Sequence, residues 1–212
     1  MIAGSPRSPR VVLISGLSIV SESELFARIA RVASLPPEAR AGLVVHLREP
    51  DRDGGALLDL AMRLREATSA VGGSLWVNDR IDVALAASAD GVHLGRRSVS
   101  IADARALMGS TAAISVACHA VDDVRRAAEQ GANAVTLSPI FASPGKGEPL
   151  GLDALREARA ALDASPLGRA VTLTALGGID LDRAKSCFEA GADAVAAIRA
   201  DLTPSLAREG SE

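Results

Sequence analysis

The sequence predicts a single α/β domain, a (β/α)8 TIM barrel with eight parallel strands, and three observations predict it. Short runs that are apolar on both faces recur eight times, segments of helical period fall between them, and one small-residue unit repeats along the chain. The runs are 11–15, 43–47, 74–77, 91–94, 113–117, 134–138, 171–175 and 194–198. A strand apolar on both faces is covered on both sides, and alternation with helices requires parallel pairing. Leu57, Leu60, Ala61, Leu64 and Arg65 show the helical period, as do Leu152, Leu155 and Ala158. The repeated unit is a helix end, a tight turn and a strand entry: Ala89-Asp90-Gly91-Val92, Ala132-Asn133-Ala134-Val135 and Ala192-Asp193-Ala194-Val195. Gly131 and Gly191 suit the left-handed position that closes a helix before the next strand. Eight such units in 212 residues suit a closed barrel. An open doubly wound sheet has the same alternation and stays open as an alternative, because closure leaves no mark in a sequence. Residues 1–10 are expected to form a disordered N-terminal tail and residues 11–212 the barrel domain.

Composition narrows the partners. With 48% hydrophobic residues the chain can bury a large core, which excludes a disordered protein. The net charge of −3, with signs intermixed, gives neither the basic stripe of a nucleic-acid binder nor a dense cationic cluster for an anionic membrane. The expected partner is therefore a small molecule; whether the barrel pairs into a homodimer stays open. Cys118 and Cys187 form neither a disulfide framework nor a metal-spaced cluster, which fits a reducing compartment and a cytoplasmic location. Two arginines precede the apolar run 11–20, as in a signal peptide, but Ser15, Gly16 and Ser18 interrupt it and no small-x-small cleavage site follows. No stretch approaches the roughly 18 apolar residues of a membrane span.

In such barrels the reacting groups sit at strand C-termini and in the loops after them. Strand 2 ends His46-Leu47-Arg48-Glu49, strand 3 ends Asn78-Asp79-Arg80, strand 4 carries His93 into Gly95-Arg96-Arg97, and strand 5 runs into Cys118-His119. All three histidines fall in this layer. His46 and Arg48 share a face, and Arg48 can fork onto a phosphate or carboxylate, or else pair locally with Glu49 or Asp79. Strand 7 ends Gly177-Gly178, where backbone N–H groups can approach an anion, with Ile198 and Arg199 ending strand 8 beside it. A plain tight turn is the alternative. The connection 139–151 contains Ser143-Pro144-Gly145-Lys146 and is either a lid over an anion or a solvated loop. His93, Trp76 and Phe141 read as packing residues, and Cys118 as core, since its strand neighbour His119 points to the opposite face.

In this order the residues resemble the thiamine-phosphate synthase and TenI thiazole-tautomerase family over nearly the whole chain. The carriers are His46-Leu47-Arg48-Glu49, Asn78-Asp79-Arg80, Asp90-Gly91-Val92-His93-Leu94-Gly95, Ser138-Pro139-Ile140-Phe141 with Ser143-Pro144-Gly145-Lys146, and Leu176-Gly177-Gly178-Ile179. The resemblance implies a barrel acting in thiamine biosynthesis on a thiazole phosphate, either joining it to hydroxymethylpyrimidine diphosphate or isomerising it to its aromatic form. His46, Arg48, Asn78, Ser143 and Lys146 would bind substrate, and Gly177, Gly178, Ile198 and Arg199 its phosphate.

Departures from the synthase pattern bring the chain closer to the TenI-like branch. Synthases resemble one another in a Gln-Leu-Arg-Glu-Lys run where this chain has His46 and Pro50. They also hold magnesium between the residue matching Asp79 and an acid after the strand 4 glycine, where this chain reads Arg96-Arg97-Ser98. The expectation is a cofactor-free isomerase, a thiazole tautomerase with His119 as acid/base; a loop histidine capping the next helix near Asp122 and Asp123 is its bland alternative. The other readings are a transferase, thiamine-phosphate synthase with Asp79 on Mg2+, and a non-catalytic thiazole-phosphate-binding protein.

Overall fold

The computed structural model describes residues 10–207. Their strands β1 (Arg10–Ile14), β2 (Leu43–Leu47), β3 (Ser74–Asn78), β4 (Gly91–Leu94), β5 (Ala113–Cys118), β6 (Ala134–Leu137), β7 (Thr172–Leu176) and β8 (Ala194–Ala197) pair in sequence order into a closed barrel. All pairs are parallel, and Val11 opposite Val195 is part of the seam between β1 and β8. Closure removes the open-sheet alternative. Arg10 belongs to β1 rather than to a tail: its N–H donates to the Asp193 carbonyl at 3.1 Å and its guanidinium to Thr172 Oγ1 at 3.1 Å. The rest of the expected tail, residues 1–9, and the terminal residues 208–212 lie outside the described residues.

The helices are α1 (Glu22–Arg31), α2 (Pro37–Arg40), α3 (Gly54–Val71), α4 (Ile81–Ala86), α5 (Ile101–Met108), α6 (Val121–Glu129), α7 (Gly151–Asp163) and α8 (Leu181–Glu189). Ser21, Asp53, Ser100 and Asp180 cap α1, α3, α5 and α8 by accepting an N–H of the first turn. None of the described helices is long and apolar enough to cross a membrane.

The repeated turn unit has a repeated job. Asp90 accepts the N–H of Leu75 at 2.8 Å, Asn133 that of Ile114 at 2.9 Å, and Asp193 that of Leu173 at 2.8 Å. Each acceptor also takes an arginine from a helix: Arg65 on Asp90, Arg105 on Asn133 and Arg159 on Asp193. One polar residue thus satisfies the entering N–H of a neighbouring strand and ties the barrel floor to the outer ring.

Two apolar layers follow from strand alternation. The larger lies between strands and helices and includes Leu43, Val45, Leu47, Leu64 and Leu155. The smaller fills the barrel with Val12, Ile14, Val44, Trp76, Ala134, Ala194 and Ala196. Gly91 makes room for Trp76: a Cβ there would stand 2.4 Å from the Ala113 carbonyl oxygen and 3.0 Å from Trp76 Cδ1.

Candidate functional site

At the C-terminal ends of the strands, inward positions turn from apolar to polar. His46 is 4% exposed and His93 8%, and their rings lie 4.5 Å apart at a 48° tilt. His46 Nε2 lies 3.2 Å from Asn78 Oδ1, which can only accept, so Nε2 carries the proton. Asn78 in turn donates to Asp79 Oδ2 at 2.6 Å, and His93 Nδ1 meets Ser115 Oγ at 2.9 Å. His93 is therefore a packed, hydrogen-bonded residue of the mouth's floor.

Burial, then the charges of His93 and Arg48, hold His46 well below its ordinary pKa. Burial also lowers His93 from 6.5 to about 4, with Arg48 acting in the same direction against the pull of Asp79. Both imidazoles are neutral at neutral pH. Because the folded pKa of His93 lies below the unfolded one, the unfolded chain takes up its proton first as pH falls, and stability is lost from about 6.5 downward until about 4. Between pH 7 and pH 5 this one group should cost about 2 kcal/mol, a window in which few carboxylates titrate. Urea denaturation at the two pH values measures the loss, and His93→Gln should remove this group's share while leaving that of His46, which burial holds down in the same way.

Arg48 leaves β2 with its N–H on Ser15 Oγ at 2.8 Å and its side chain exposed. It pairs with neither suggested local carboxylate. Glu49 accepts the Leu17 N–H at 3.1 Å, and Asp79 is occupied by Asn78, by the Gly95 N–H at 3.1 Å and by Ser98 Oγ. Asp79 has a left-handed backbone, φ 59°, at the end of β3. Arg48, Arg96, Arg97, Lys146 and Arg199 are exposed on loops at this end of the barrel and have no ion pair among the described residues.

A magnesium ion of the kind the resemblance implies finds a poor fit. The lone pairs of Asp79 meet three donors, a serine and two arginines follow Gly95 in place of the second acid, and no group of three or more His, Cys, Asp or Glu converges among the described residues.

His119 stands just past β5. Its Nδ1 is 2.9 Å from the Ser138 carbonyl oxygen, so Nδ1 carries the proton of the neutral ring and Nε2 presents its lone pair. The helix-capping alternative survives only in the backbone, where the His119 N–H donates to Asp123 Oδ2 at 3.0 Å. Cys118 is fully buried, and burial raises its thiol pKa to about 12, so it is packing and no nucleophile.

The loop after β6 is tied at its base by Leu150 N–H on the Pro139 carbonyl at 2.8 Å and Gly151 N–H on that of Ile140 at 3.0 Å. It leans on the end of β7, where Phe141 N–H reaches the Gly177 carbonyl at 3.0 Å. Gly177 and Gly178 have φ of 108° and 62°, and a Cβ would stand 2.8 Å from Pro139 Cα or 2.6 Å from the Ala142 oxygen. Only glycine permits that turn and approach. Ser143 Oγ bonds the Phe141 carbonyl at 3.3 Å, and Lys146 points from an exposed turn. Pairing of Leu176 with Ala196 sets the ends of β7 and β8 side by side, and Gly177-Gly178 and Ile198-Arg199 lead out from these adjacent ends. Sequence reasoning missed Ser15, Ser98, Ser115 and Arg28. Ser115 had a signal, a hydroxyl at an inward position of an otherwise apolar strand.

A putative thiamine-phosphate synthase of Geobacter sulfurreducens is 39% identical over 168 residues, 78% of this chain and 76% of the relative. A thiamine-phosphate synthase of Gloeobacter violaceus is 38% identical over 159 residues, 74% of this chain, but the match spans only 45% of that longer protein. Among solved structures, a thiamine phosphate pyrophosphorylase from Pyrococcus furiosus superposes with a TM-score of 0.75 at 21% identity, covering 95% of this chain and 93% of that one, which supports the fold. Residues 17–200 match the family TMP-TENI, described as thiamine monophosphate synthase, and with that extent of match the chain belongs to this family.

Proposed function

We propose that the chain is a thiamine-phosphate synthase, a transferase that joins a thiazole phosphate to hydroxymethylpyrimidine diphosphate at the barrel mouth. The observation that carries this reading is the name shared by relatives 35–41% identical over about three quarters of the chain. The thiazole phosphate would lie against Gly177, Gly178, Ile198 and Arg199, whose loops leave N–H groups open to an anion. His46 and Asn78 would face the rings, with Ser143 and Lys146 reaching from the loop after β6. Joining the rings forms a C–N bond and expels diphosphate, so charge grows on the leaving group; Arg48, Arg96, Arg97 and Lys146 are the cations available to meet it. No step is assigned to magnesium, because Asp79 alone does not make its site.

Incubation with both purified substrates should yield thiamine phosphate. Arg48→Met should weaken binding of the pyrimidine diphosphate by about tenfold or more, as expected for loss of one charged hydrogen-bonding partner, read as a rise in KM larger than any fall in kcat. Absence of product would overturn the synthase reading. A second reading, the thiazole tautomerase with His119 as acid/base, is favoured by the anchored imidazole and by the single carboxylate at Asp79. Binding of the thiazole phosphate without either reaction would leave a non-catalytic binding protein.

A further inference from the structure

Arg28 is an arginine on the inner side of α1, 8% exposed, and it meets the mouth only through backbone carbonyls. Its guanidinium makes four hydrogen bonds. Nε donates to Glu24 Oε1 at 3.0 Å, Nη1 to the carbonyls of Ile198 at 3.1 Å and Ala200 at 3.3 Å, and Nη2 to that of Arg199 at 3.0 Å. Three successive carbonyls of the loop after β8 are thus gathered onto one planar fork. These peptides are trans, so the N–H of each stands opposite its C=O. The N–H groups of Arg199, Ala200 and Asp201 consequently face away from α1 and the helical ring, and none has an acceptor among the described residues.

A second tie fixes the same segment. Arg31 reaches Asp201 Oδ2 at 2.8 Å, and Asp201 Oδ1 takes the N–H of Thr203 at 3.0 Å and its hydroxyl at 2.7 Å. Glu24 sits between the two arginines, 3.0 Å from each, and their hydrogen bonds, that of Arg28 first, hold its carboxyl below the usual range. Glu24, Arg28 and Arg31 are spaced i, i+4, i+7, so one face of α1 is committed to the β8 loop.

We propose that Arg28 is a positioning residue for the anion site: by drawing the carbonyls of Ile198, Arg199 and Ala200 outward, it aims the paired N–H groups at a bound phosphate monoester without touching the ligand. This rests on the phosphate lying beside Gly178 and Arg199, as in the proposed function. A strand-end loop without such a fork could turn a carbonyl toward the anion, and an oriented set of donors is what makes a backbone anion site.

The test uses the whole protein, with inorganic phosphate as the probe and amide NMR as the readout. In the parent, the Gly178, Arg199 and Ala200 amides should shift on titration. Arg28→Met should weaken phosphate binding about tenfold, the equivalent of one good hydrogen bond to a charged group, while affinity for the unphosphorylated thiazole alcohol is unchanged. Arg28→Lys should behave like Arg28→Met, because a compact ammonium keeps the charge but cannot hold three carbonyls in one plane. Glu24→Gln, at a half-exposed pair, supplies a milder version should the buried substitutions unfold the chain. Parent-like phosphate affinity in Arg28→Met, or in Glu24→Gln if that alone folds, overturns the proposal, as does full rescue by Arg28→Lys or an equal loss for the alcohol. If phosphate leaves the parent's Arg199 and Ala200 amides unmoved while shifting others, the phosphate placement itself fails and the role of Arg28 with it.

Discussion

On the tautomerase reading, replacing His119 by asparagine is expected to lower isomerisation of a thiazole carboxylate phosphate by about 10²- to 10⁴-fold, the usual worth of a positioned acid/base group; on the synthase reading it leaves thiamine phosphate formation largely intact. The substitution is chosen for what it keeps. An asparagine amide can still donate to the Ser138 carbonyl that His119 Nδ1 now holds at 2.9 Å, and the backbone tie to Asp123 is untouched, but no lone pair of imidazole basicity remains. Single-turnover rates corrected for folded fraction measure the effect. A steep loss in isomerisation, with no synthase turnover in the parent, would establish the tautomerase. Equal isomerisation rates would remove His119 from that chemistry. His46 and His93 would then be the remaining imidazoles, and burial leaves both weak bases.

Gly91→Ala is expected to destabilise the barrel by about 3 kcal/mol, at the upper end for overpacking a core, and to lower Tm by roughly 6–12 °C in a chain of this size. The new methyl would stand 2.4 Å from a backbone oxygen of β5 and 2.8 Å from the Ala113 Cβ, and neither can retreat like the end of a flexible side chain. The third neighbour, Trp76, is packed inside the barrel at 8% exposure. Thermal unfolding followed by circular dichroism decides it, and a Tm within two degrees of the parent would show that β4 and β5 can part without cost. Trp76→Phe in the same background should recover part of the loss by vacating the space beside Cδ1.

The barrel was legible because its instructions are local. Runs apolar on both faces read as strands covered on both sides, and the recurring unit around Asp90, Asn133 and Asp193 marks three floor turns that each accept the second N–H of the preceding strand. Positions of the mouth residues followed from that order alone, since strand C-termini all emerge at one end. Pairings at the mouth did not follow. That Asp79 would face Ser98 and Gly95, and that Arg48 would be left without a carboxylate, depends on side-chain directions set by a left-handed residue and by the register of β3 against β4. Arg28 looked like an ordinary helix charge, because nothing in a sequence says which loop 170 residues away lies against α1.

The branch of the family was likewise read from what is missing in sequence, a second acid and a lysine, and those departures pointed toward the tautomerase, while the relatives carry the synthase name. By itself, then, the sequence determined the strand order, the end of the barrel at which the polar residues gather and the family. Only the tertiary structure decided closure of β8 on β1, the neutral His46 and His93 pair, the proton on Nδ1 of His119 and the outward carbonyls of the β8 loop. Each of those depends on groups far apart in the chain meeting within hydrogen-bond distance in a water-poor interior, where a neighbour's dipole or the loss of solvent outweighs any local preference.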